Sequence, residues 1–240
     1  MLPKKRKSKI QNLIDKLRGK KPTLKKIMQH NKINVPKKLL KRLDINIVGE
    51  NNVVEIDETV NISGYIRIKL YGDNNLIRIK RNANISVLDL AIGQKSPQMG
   101  KANNTEFELG EKSSVGEMQY VTFNSGAKCI IGDNCMFAFD INFYNTDAHP
   151  VFDINTKEII NKVKEIRIGN HVWIGAHASI LKNTQITDDC IVGWGSVVSG
   201  KHVTPHCAIA GNPAKKVKEG ITWDPNGSNG YVQNVVEGDK

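Results

Sequence analysis

The chain has 240 residues, of which 39% are hydrophobic and 6% aromatic, and its formal net charge is +11 at pH 7. That length suits one domain, or one domain with an appendage. No apolar run reaches 18 residues, which argues against a membrane-spanning helix, and the basic start lacks the apolar segment of a secretory signal peptide.

The positive charge is concentrated at one end of the chain. Residues 1–44 contain 16 of the 35 Lys and Arg residues but 2 of the 24 acidic residues. Apolar residues recur there at helical spacing, as at Ile10, Leu13 and Ile14, and Thr23 is suited to cap a second helix. We therefore expect a basic, mainly helical appendage that contacts an anionic membrane surface or packs on the body. Nucleic-acid binding is not expected, because no aromatic residue interleaves with the basic ones.

A six-residue period dominates the second half of the chain. From residue 168 an aliphatic residue occupies every sixth position, and the position after it is usually Gly or Ser. The six aliphatic residues are Ile168, Ile174, Ile180, Ile186, Val192 and Val198. This period fits neither an α-helix nor a hairpin sheet. It indicates a solenoid of short strands, each of which points one aliphatic side chain inward.

The same period extends upstream with one interruption. Ile131, Phe137 and Phe143 keep the six-residue step, but the interval from 143 to 168 is one residue longer than four repeats. Three earlier segments begin with paired asparagines, which suit corners of positive φ, and continue with alternating apolar residues. These segments are 49–56, 72–79 and 103–109.

The predicted organisation therefore has three parts. Residues 1–44 form the basic appendage, residues 45–218 form an all-β solenoid with an extruded loop at 144–166, and residues 219–240 form a C-terminal tail. The four cysteines make no CxxC pair and no close cluster with His, so we expect buried free thiols rather than a zinc or redox site.

Two motifs flank the interruption of the period. His149-Pro150 lies within it, and residues 168–175, which read Ile-Gly-Asn-His-Val-Trp-Ile-Gly, follow it. Together with the period, these motifs resemble the hexapeptide-repeat acyltransferase family, in particular its sugar and polysaccharide O-acetyltransferases. The resemblance is close over 110–218 and looser over 45–109. It implies a left-handed parallel β-helix, a homotrimer with active sites between subunits, acetyl-CoA as the acyl donor, a glycan acceptor and no metal.

By this resemblance His149 is the general base. An imidazole with a pKa of roughly 6.5 can take the proton of a sugar hydroxyl as the hydroxyl attacks a thioester, and can then protonate the departing thiolate. Asp147 or Asp153 is a candidate to orient the imidazole. An ordinary turn is an equally good explanation for Asp147.

The resemblance also assigns donor and acceptor contacts. The backbone N–H of Ala176 is the expected oxyanion donor, and Trp173 takes the place of the family's Trp near the acceptor pocket. The remaining donor contacts that it implies are Trp194, Gly195, Ser199, Lys215 and Lys216. Trp194 replaces a small residue of the family pattern, and the two lysines suit the 3′-phosphate of CoA. The predicted acceptor contacts are Gln119, Tyr120 and Asn145.

Three other functions remain open at this point. N-acetylation of an amino-sugar uses the same scaffold, and a solenoid can also serve as a non-enzymatic assembly platform. A zinc enzyme of this fold would need three histidines, for which His149, His171 and His177 are available, but the six-residue step places the last two on different sides of a coil. We expect an O-acetyltransferase of the cytoplasm, with the inner face of the membrane as the place where a basic segment would meet lipid-linked glycans.

Overall fold

Short strands are the main regular elements of the part of the chain that the structure describes, which is residues 22–96 and 99–226 of a computed structural model. In chain order the strands are β1 (Lys32–Asn34), β2 (Leu43–Val48), β3 (Val53–Ile56), β4 (Asn61–Tyr71), β5 (Leu76–Ile79), β6 (Asn84–Ile92), β7 (Glu106–Leu109), β8 (Ser114–Thr122), β9 (Lys128–Ile131), β10 (Met136–Phe137), β11 (Ile141–Tyr144), β12 (Glu165–Ile168), β13 (Trp173–Ile174), β14 (Ser179–Leu181), β15 (Gln185–Ile186), β16 (Ile191–Val192), β17 (Val197–Val198), β18 (Lys201–His202), β19 (Cys207–Gly211) and β20 (Ala214–Glu219). The helical elements of this part are α1 (Leu24–Ile27) and a 3₁₀ helix (Lys37–Arg42).

Successive coils stack through parallel pairing. β12 pairs with β15, β13 with β16 and β14 with β17, so three strands complete one coil before the chain returns above its own start. An eight-stranded sheet, β1-β3-β5-β7-β9-β12-β15-β18, forms the first side of the solenoid. The second side contains β10, β13, β16 and β19, and the third contains β11, β14 and β17. The turn that follows a strand of the first side is called the first corner. The turns that follow strands of the second and third sides are called the second and third corners.

The six-residue period of the sequence is the repeat of the core. All six aliphatic residues of the run from 168 to 198 are at most 2% exposed. Successive coils stack these residues in register, as Ile174 lies on Val192 and Ile180 on Val198. Full burial of such a side chain contributes roughly 1.5–3 kcal/mol. The core is therefore a column of stacked apolar layers that runs along the solenoid.

The paired asparagines lie at corners, as predicted. Asn51, Asn74 and Asn104 have φ values of 57°, 59° and 55°. Asparagine tolerates this left-handed region better than most residues, because its short polar side chain can bond locally. The corners therefore recur at the positions where the sequence supplies an asparagine.

A hydrogen-bonded ladder of buried side chains lines the same corner. Asn75 donates from Nδ2 to Asn52 Oδ1 at 2.9 Å, and Thr105 donates from Oγ1 to Asn75 Oδ1 at 2.7 Å. Asn52 in turn donates to Asn31 Oδ1 at 2.8 Å. Because a buried amide without partners is costly, the ladder makes these polar residues compatible with the interior.

The solenoid begins earlier than the predicted boundary at residue 45. β1 already pairs in parallel with β3, and Ile33 of β1 packs against the core. Thr23 does cap α1, since its side chain accepts the Lys26 N–H at 3.4 Å. The helices predicted over residues 1–21 lie outside the described residues.

The interruption of the period is a loop that leaves the coil. β11 ends at Tyr144 and β12 begins at Glu165, and between them one antiparallel bridge joins Phe152 to Ile159. The extra residue in the sequence spacing is accommodated here, because β12 returns to pair with β9 in register. The loop projects from the third corner.

The first part of the C-terminal tail packs back on the solenoid. The tail follows β20, which runs antiparallel to β19, and it brings Trp223, 8% exposed, against the first corner. Its indole N–H donates to the His171 carbonyl at 2.9 Å, and its ring stacks on the His171 ring at a centroid distance of 4.3 Å. The described part of the tail therefore covers the first corner beside His171.

All four cysteines are buried and none forms a disulfide, as predicted. Burial raises the pKa of Cys135 to about 12, which keeps this thiol protonated and unreactive. Separately, no helix within the described ranges combines the length and the apolar character that a membrane crossing requires.

Candidate active site

A tight turn in the extruded loop presents His149 at the third corner. The His149 N–H donates to the Asp147 carbonyl at 2.6 Å, and Ala148 between them has a φ of 62°. This is a three-residue γ-turn. A left-handed φ in a residue other than Gly costs on the order of 1–3 kcal/mol, so the turn depends on the contacts that surround it.

The first of these contacts comes from the preceding coil. Thr146 Oγ1 accepts the Ala148 N–H at 2.9 Å and donates to Asn124 Oδ1 at 2.7 Å. Asn145, just before, is buried, and its N–H donates to the Val121 carbonyl at 2.9 Å. The chain is therefore fixed to the solenoid up to the residue at which the turn begins.

The carboxylate of Asp147 is held by two donors. Asn161 Nδ2 lies 2.7 Å and Lys182 Nζ lies 3.1 Å from Asp147 Oδ2. The imidazole of His149 makes no hydrogen bond or ion pair with another described residue. Asp153, the other predicted orienting residue, caps the turn at the tip of the loop, where hydrogen bonds from the Thr156 and Asn155 N–H groups lower the pKa of its carboxyl.

His149 is exposed and lines a cavity of about 400 Å³. The lining residues around it include Asn124, Ser125, Asn161 and Lys162, which supply amide, hydroxyl and ammonium groups. A cavity of this size and polarity suits a hydrophilic ligand such as a sugar.

The second corner holds the residues assigned to the acyl donor. Ala176 is buried, its carbonyl accepts the Gly195 N–H at 2.9 Å, and its own N–H donates to no described residue. Trp194 is 73% exposed, with its ring 4.9 Å from that of His177. His177 Nδ1 lies 2.7 Å from Asp140 Oδ2, and this hydrogen bond holds the pKa of the Asp140 carboxyl below its ordinary value.

Trp173 and the remaining donor candidates lie apart from His149. Trp173 is partly buried on the second side, 6.1 Å between ring centroids from Trp223. Ser199 is exposed just after β17. Lys215 and Lys216 are exposed on β20, where Lys216 pairs with Glu219.

Two of the three predicted acceptor contacts are interior residues. Gln119 is exposed on β8, but Tyr120 and Asn145 are fully buried. Tyr120 stacks between Leu90 and Phe143 of the adjacent coils, so its side chain belongs to the core. We therefore correct the prediction for Tyr120 and Asn145, whose side chains support the coil beneath the loop instead of facing an acceptor.

The three histidines considered for zinc lie at three different corners. His171 Nδ1 is 2.7 Å from Asp189 Oδ1 at the first corner, His177 pairs with Asp140 at the second, and His149 is at the third. Within the described ranges, no group of three or more His, Cys, Asp or Glu side chains is arranged to hold a metal ion.

Asn161 and Lys182 are site residues that the sequence did not indicate. Asn161 lies in the segment where the period is broken, and Lys182 occupies an ordinary corner. No motif or spacing distinguishes either residue, because their partners come from a turn that only the folded loop creates.

The sequence of this chain matches a family model and several known proteins. A model of the bacterial transferase hexapeptide (six repeats) matches residues 165–200. The polysialic acid O-acetyltransferase of Neisseria meningitidis is 32% identical over 200 residues, which cover 81% of this chain and 86% of that protein. The chain belongs to the hexapeptide-repeat acyltransferase family.

Two further family members agree with this assignment. The polysialic acid O-acetyltransferase of Escherichia coli O1:K1 / APEC is 35% identical over 115 residues, which span 48% of this chain and 37% of that protein. The crystal structure of the polySia-specific acetyltransferase NeuO superposes with a TM-score of 0.67 at 29% identity and covers 83% of this chain and 87% of that one. The protein is thus an acetyltransferase, and these relatives argue against a non-enzymatic platform.

Proposed function

We propose that the protein transfers an acetyl group from acetyl-CoA to a hydroxyl group of a sugar or polysaccharide, with His149 as the general base. The observation that carries this proposal is the exposed imidazole of His149, which has no partner among the described residues and lines a polar cavity beside the hexapeptide solenoid. The imidazole there is open to contact with an acceptor hydroxyl, whose proton a general base accepts.

The reaction is a direct transfer. His149 takes the proton of the acceptor hydroxyl as the oxygen attacks the thioester carbonyl, and the backbone N–H of Ala176 donates to the resulting oxyanion. The C–S bond then breaks, and the imidazolium returns the proton to the departing thiolate. The products are an acetyl ester and free CoA, and no acyl-enzyme forms.

The donor residues suit an extended, anionic substrate. Trp194 is largely exposed, and open space lies where a side chain on Gly195 would stand. The N–H of Ala176, which bonds no other described residue, lies at the same corner. Lys215 adds an exposed cation at the end of the solenoid. We assign the donor to this second corner.

A single chain does not bring the base and the donor corner together, since they lie on different edges of the solenoid. We therefore propose a homotrimer of left-handed β-helices in which His149 of one subunit faces the second corner of its neighbour. The proposed location is the cytoplasm. The relatives named for polysialic acid make this anionic polymer the first acceptor to test.

The test is an acetyl-CoA turnover assay with a panel of polysialic acid, neutral glycans and amino-sugars, followed by mass spectrometry of the products. An alkali-labile acetyl ester on a glycan is expected. An alkali-stable amide on an amino-sugar would support the N-acetyltransferase alternative instead, and no transfer to any of these acceptors would contradict the proposal.

A further inference from the structure

The extruded loop has an outgoing limb, residues 145–152, and a returning limb, residues 159–164, on either side of its tip. Asn161 of the returning limb bonds to the outgoing limb at His149. Its Nδ2 donates to the His149 carbonyl at 2.9 Å and to Asp147 Oδ2 at 2.7 Å, and its Oδ1 accepts the Val151 N–H at 2.8 Å. A primary amide has two N–H donors and one acceptor oxygen, and all of them are used here. One side chain of the returning limb therefore holds three successive points of the outgoing limb.

The three contacts require an amide at this position. A carboxylate has no N–H group for the His149 carbonyl and would face the carboxylate of Asp147. An apolar side chain of similar size would leave the Val151 N–H and the His149 carbonyl without this partner. The hydrogen bonds therefore specify the chemistry of residue 161 as well as its size.

The next coil holds both limbs of the loop beside this amide. Lys182 contacts Asp147 on the outgoing limb, and its side chain is 21% exposed. Asn183, the following residue, donates from Nδ2 to the Lys162 carbonyl at 3.0 Å and accepts the Lys164 N–H at 2.7 Å. Asn161 thus connects two limbs that are each fixed to the rigid solenoid, so it sets the position of the His149 backbone relative to that frame.

We propose that Asn161 is a positioning residue for acetyl transfer, which keeps the left-handed turn at Ala148 closed and so directs the imidazole of His149 into its cavity. This inference rests on the proposed role of His149 as the general base. Asn161 bonds to the backbone of His149 and not to its ring, so it sets the placement of the base without setting its proton affinity. A misplacement of about 1 Å in such a site can lower the rate by roughly a hundredfold.

The first test compares Asn161→Ala with Asn155→Ala, a matched change in the same loop. Asn155 is exposed, and its side chain makes no hydrogen bond with another described residue. We expect Asn161→Ala to lower kcat by at least about tenfold, with an unchanged KM for acetyl-CoA and an unchanged inflection in the pH profile of kcat. The control should match the wild type.

Two results of this comparison would overturn the proposal. One is a kcat for Asn161→Ala equal to that of the Asn155→Ala control. The other is a fall in kcat that is accompanied by a shifted pH inflection, because this would mean that Asn161 acts on the imidazole itself.

A second test decides the matter even where Asn161→Ala fails to fold. Asn161→Asp alone places two carboxylates in contact, whereas the double variant Asp147→Asn with Asn161→Asp restores one amide and one carboxylate in exchanged places. We expect the double variant to recover part of the kcat lost in Asn161→Asp, as coupled neighbours do in a double-mutant cycle. No recovery would overturn the proposal. Failure of the proposed function is distinguishable, since it would appear as inactive wild-type protein or fully active His149→Ala.

Discussion

Among the six histidines of the chain, His149 differs from the other five in the environment of its ring. His171 and His177 each bond a carboxylate at 2.7 Å, and His202 bonds a backbone carbonyl. His30 and His206 lie within 4.0 Å of a carboxylate, Glu50 and Asp189 respectively. A general base must be able to bond the hydroxyl whose proton it takes. Among the described residues no other side chain or carbonyl occupies the ring of His149, so its nitrogens are open to a substrate.

We expect His149→Ala to lower kcat by at least about a hundredfold while CoA still binds, because a positioned general base typically contributes about 10²–10⁴ in rate. Thiol release from acetyl-CoA measures kcat, and calorimetry measures CoA binding. His30→Ala, an exposed histidine at the other end of the solenoid, is the matched control. Turnover near the wild-type level in His149→Ala would remove His149 from the mechanism.

Trp223 and Trp194 offer a comparison between a packed and an exposed indole. Trp223 is 8% exposed and Trp194 is 73% exposed. We expect Trp223→Ala to lower the free energy of unfolding by about 3 kcal/mol, as truncation of a buried Trp does, and Trp194→Ala to change it by less than about 0.5 kcal/mol. Urea unfolding followed by circular dichroism measures both values. Equal losses in the two variants would contradict the packing of the tail on the first corner.

At the scale of elements, a ladder of ion pairs crosses the strands of the first side. Glu55 of β3 forms ion pairs with Lys32 and Arg78, each at 3.2 Å, and Arg78 also pairs with Glu108 of β7 at 3.0 Å. A hydrogen bond from Lys32 is the main cause of the lowered pKa of Glu55. Burial by itself would raise the pKa of Glu108, but the hydrogen bonds from Lys80 and Arg78 outweigh it and lower that pKa.

These pKa directions give the first side a defined response to acid. A carboxyl whose pKa is lower in the folded state than in the unfolded state contributes stability above its unfolded pKa and loses it as the pH falls through the folded pKa. We therefore expect the midpoint of thermal unfolding to fall as the pH is lowered below about 4, the region of an ordinary Glu. Scanning fluorimetry across pH measures this.

The matched variants for this prediction are Glu108→Gln and Glu117→Gln. Glu108→Gln should lower the midpoint at neutral pH and approach the wild type in acid, because its charge contributes only where the carboxyl is ionised. Glu117 is exposed on β8, with no ion pair to a described residue, and its variant should follow the wild type throughout. Parallel curves for all three proteins would contradict a role for the ladder.

At the scale of the whole molecule, the extruded loop leaves large apolar side chains exposed in the single chain. Phe152 is 54%, Ile154 80% and Ile160 62% exposed. Several large apolar side chains exposed on one loop are typical of a region covered by another chain. It lies on the loop that carries His149, which agrees with an active site completed by a neighbouring subunit.

The proposed trimer predicts complementation between inactive variants. His149→Ala removes the base, and Trp194→Glu places a carboxylate at the proposed donor corner, where it would repel the phosphates of CoA. In a one-to-one mixed assembly, about a quarter of the interfaces would combine an intact base with an intact donor corner, so activity should return to roughly that fraction. Light scattering should give three copies per particle. No recovery in co-assembled trimers would mean that each chain carries its own complete site.

Much of the fold was predictable from the sequence because its determinants are local and repeated. The aliphatic residue at every sixth position from Ile168 to Val198 is the residue that each short strand buries, and the interruption before Ile168 marks the loop that leaves the coil. Each Asn of positive φ marks a corner for the same reason, since its preference acts within one turn. The motif around His149 likewise indicated the family before any coil was assembled.

Only the tertiary structure decided which side chains meet across the loop, the coil and the tail. Asn161 reaches His149 across 12 residues within the loop, and Trp223 reaches His171 across 52 residues from the tail, so neither pair is a contact between stacked strands. Tyr120 is interior because the strands stacked on β8 determine which of its residues point into the core. A periodic core can be predicted from its own repeat, whereas contacts made by a loop and a tail depend on where the finished solenoid brings them.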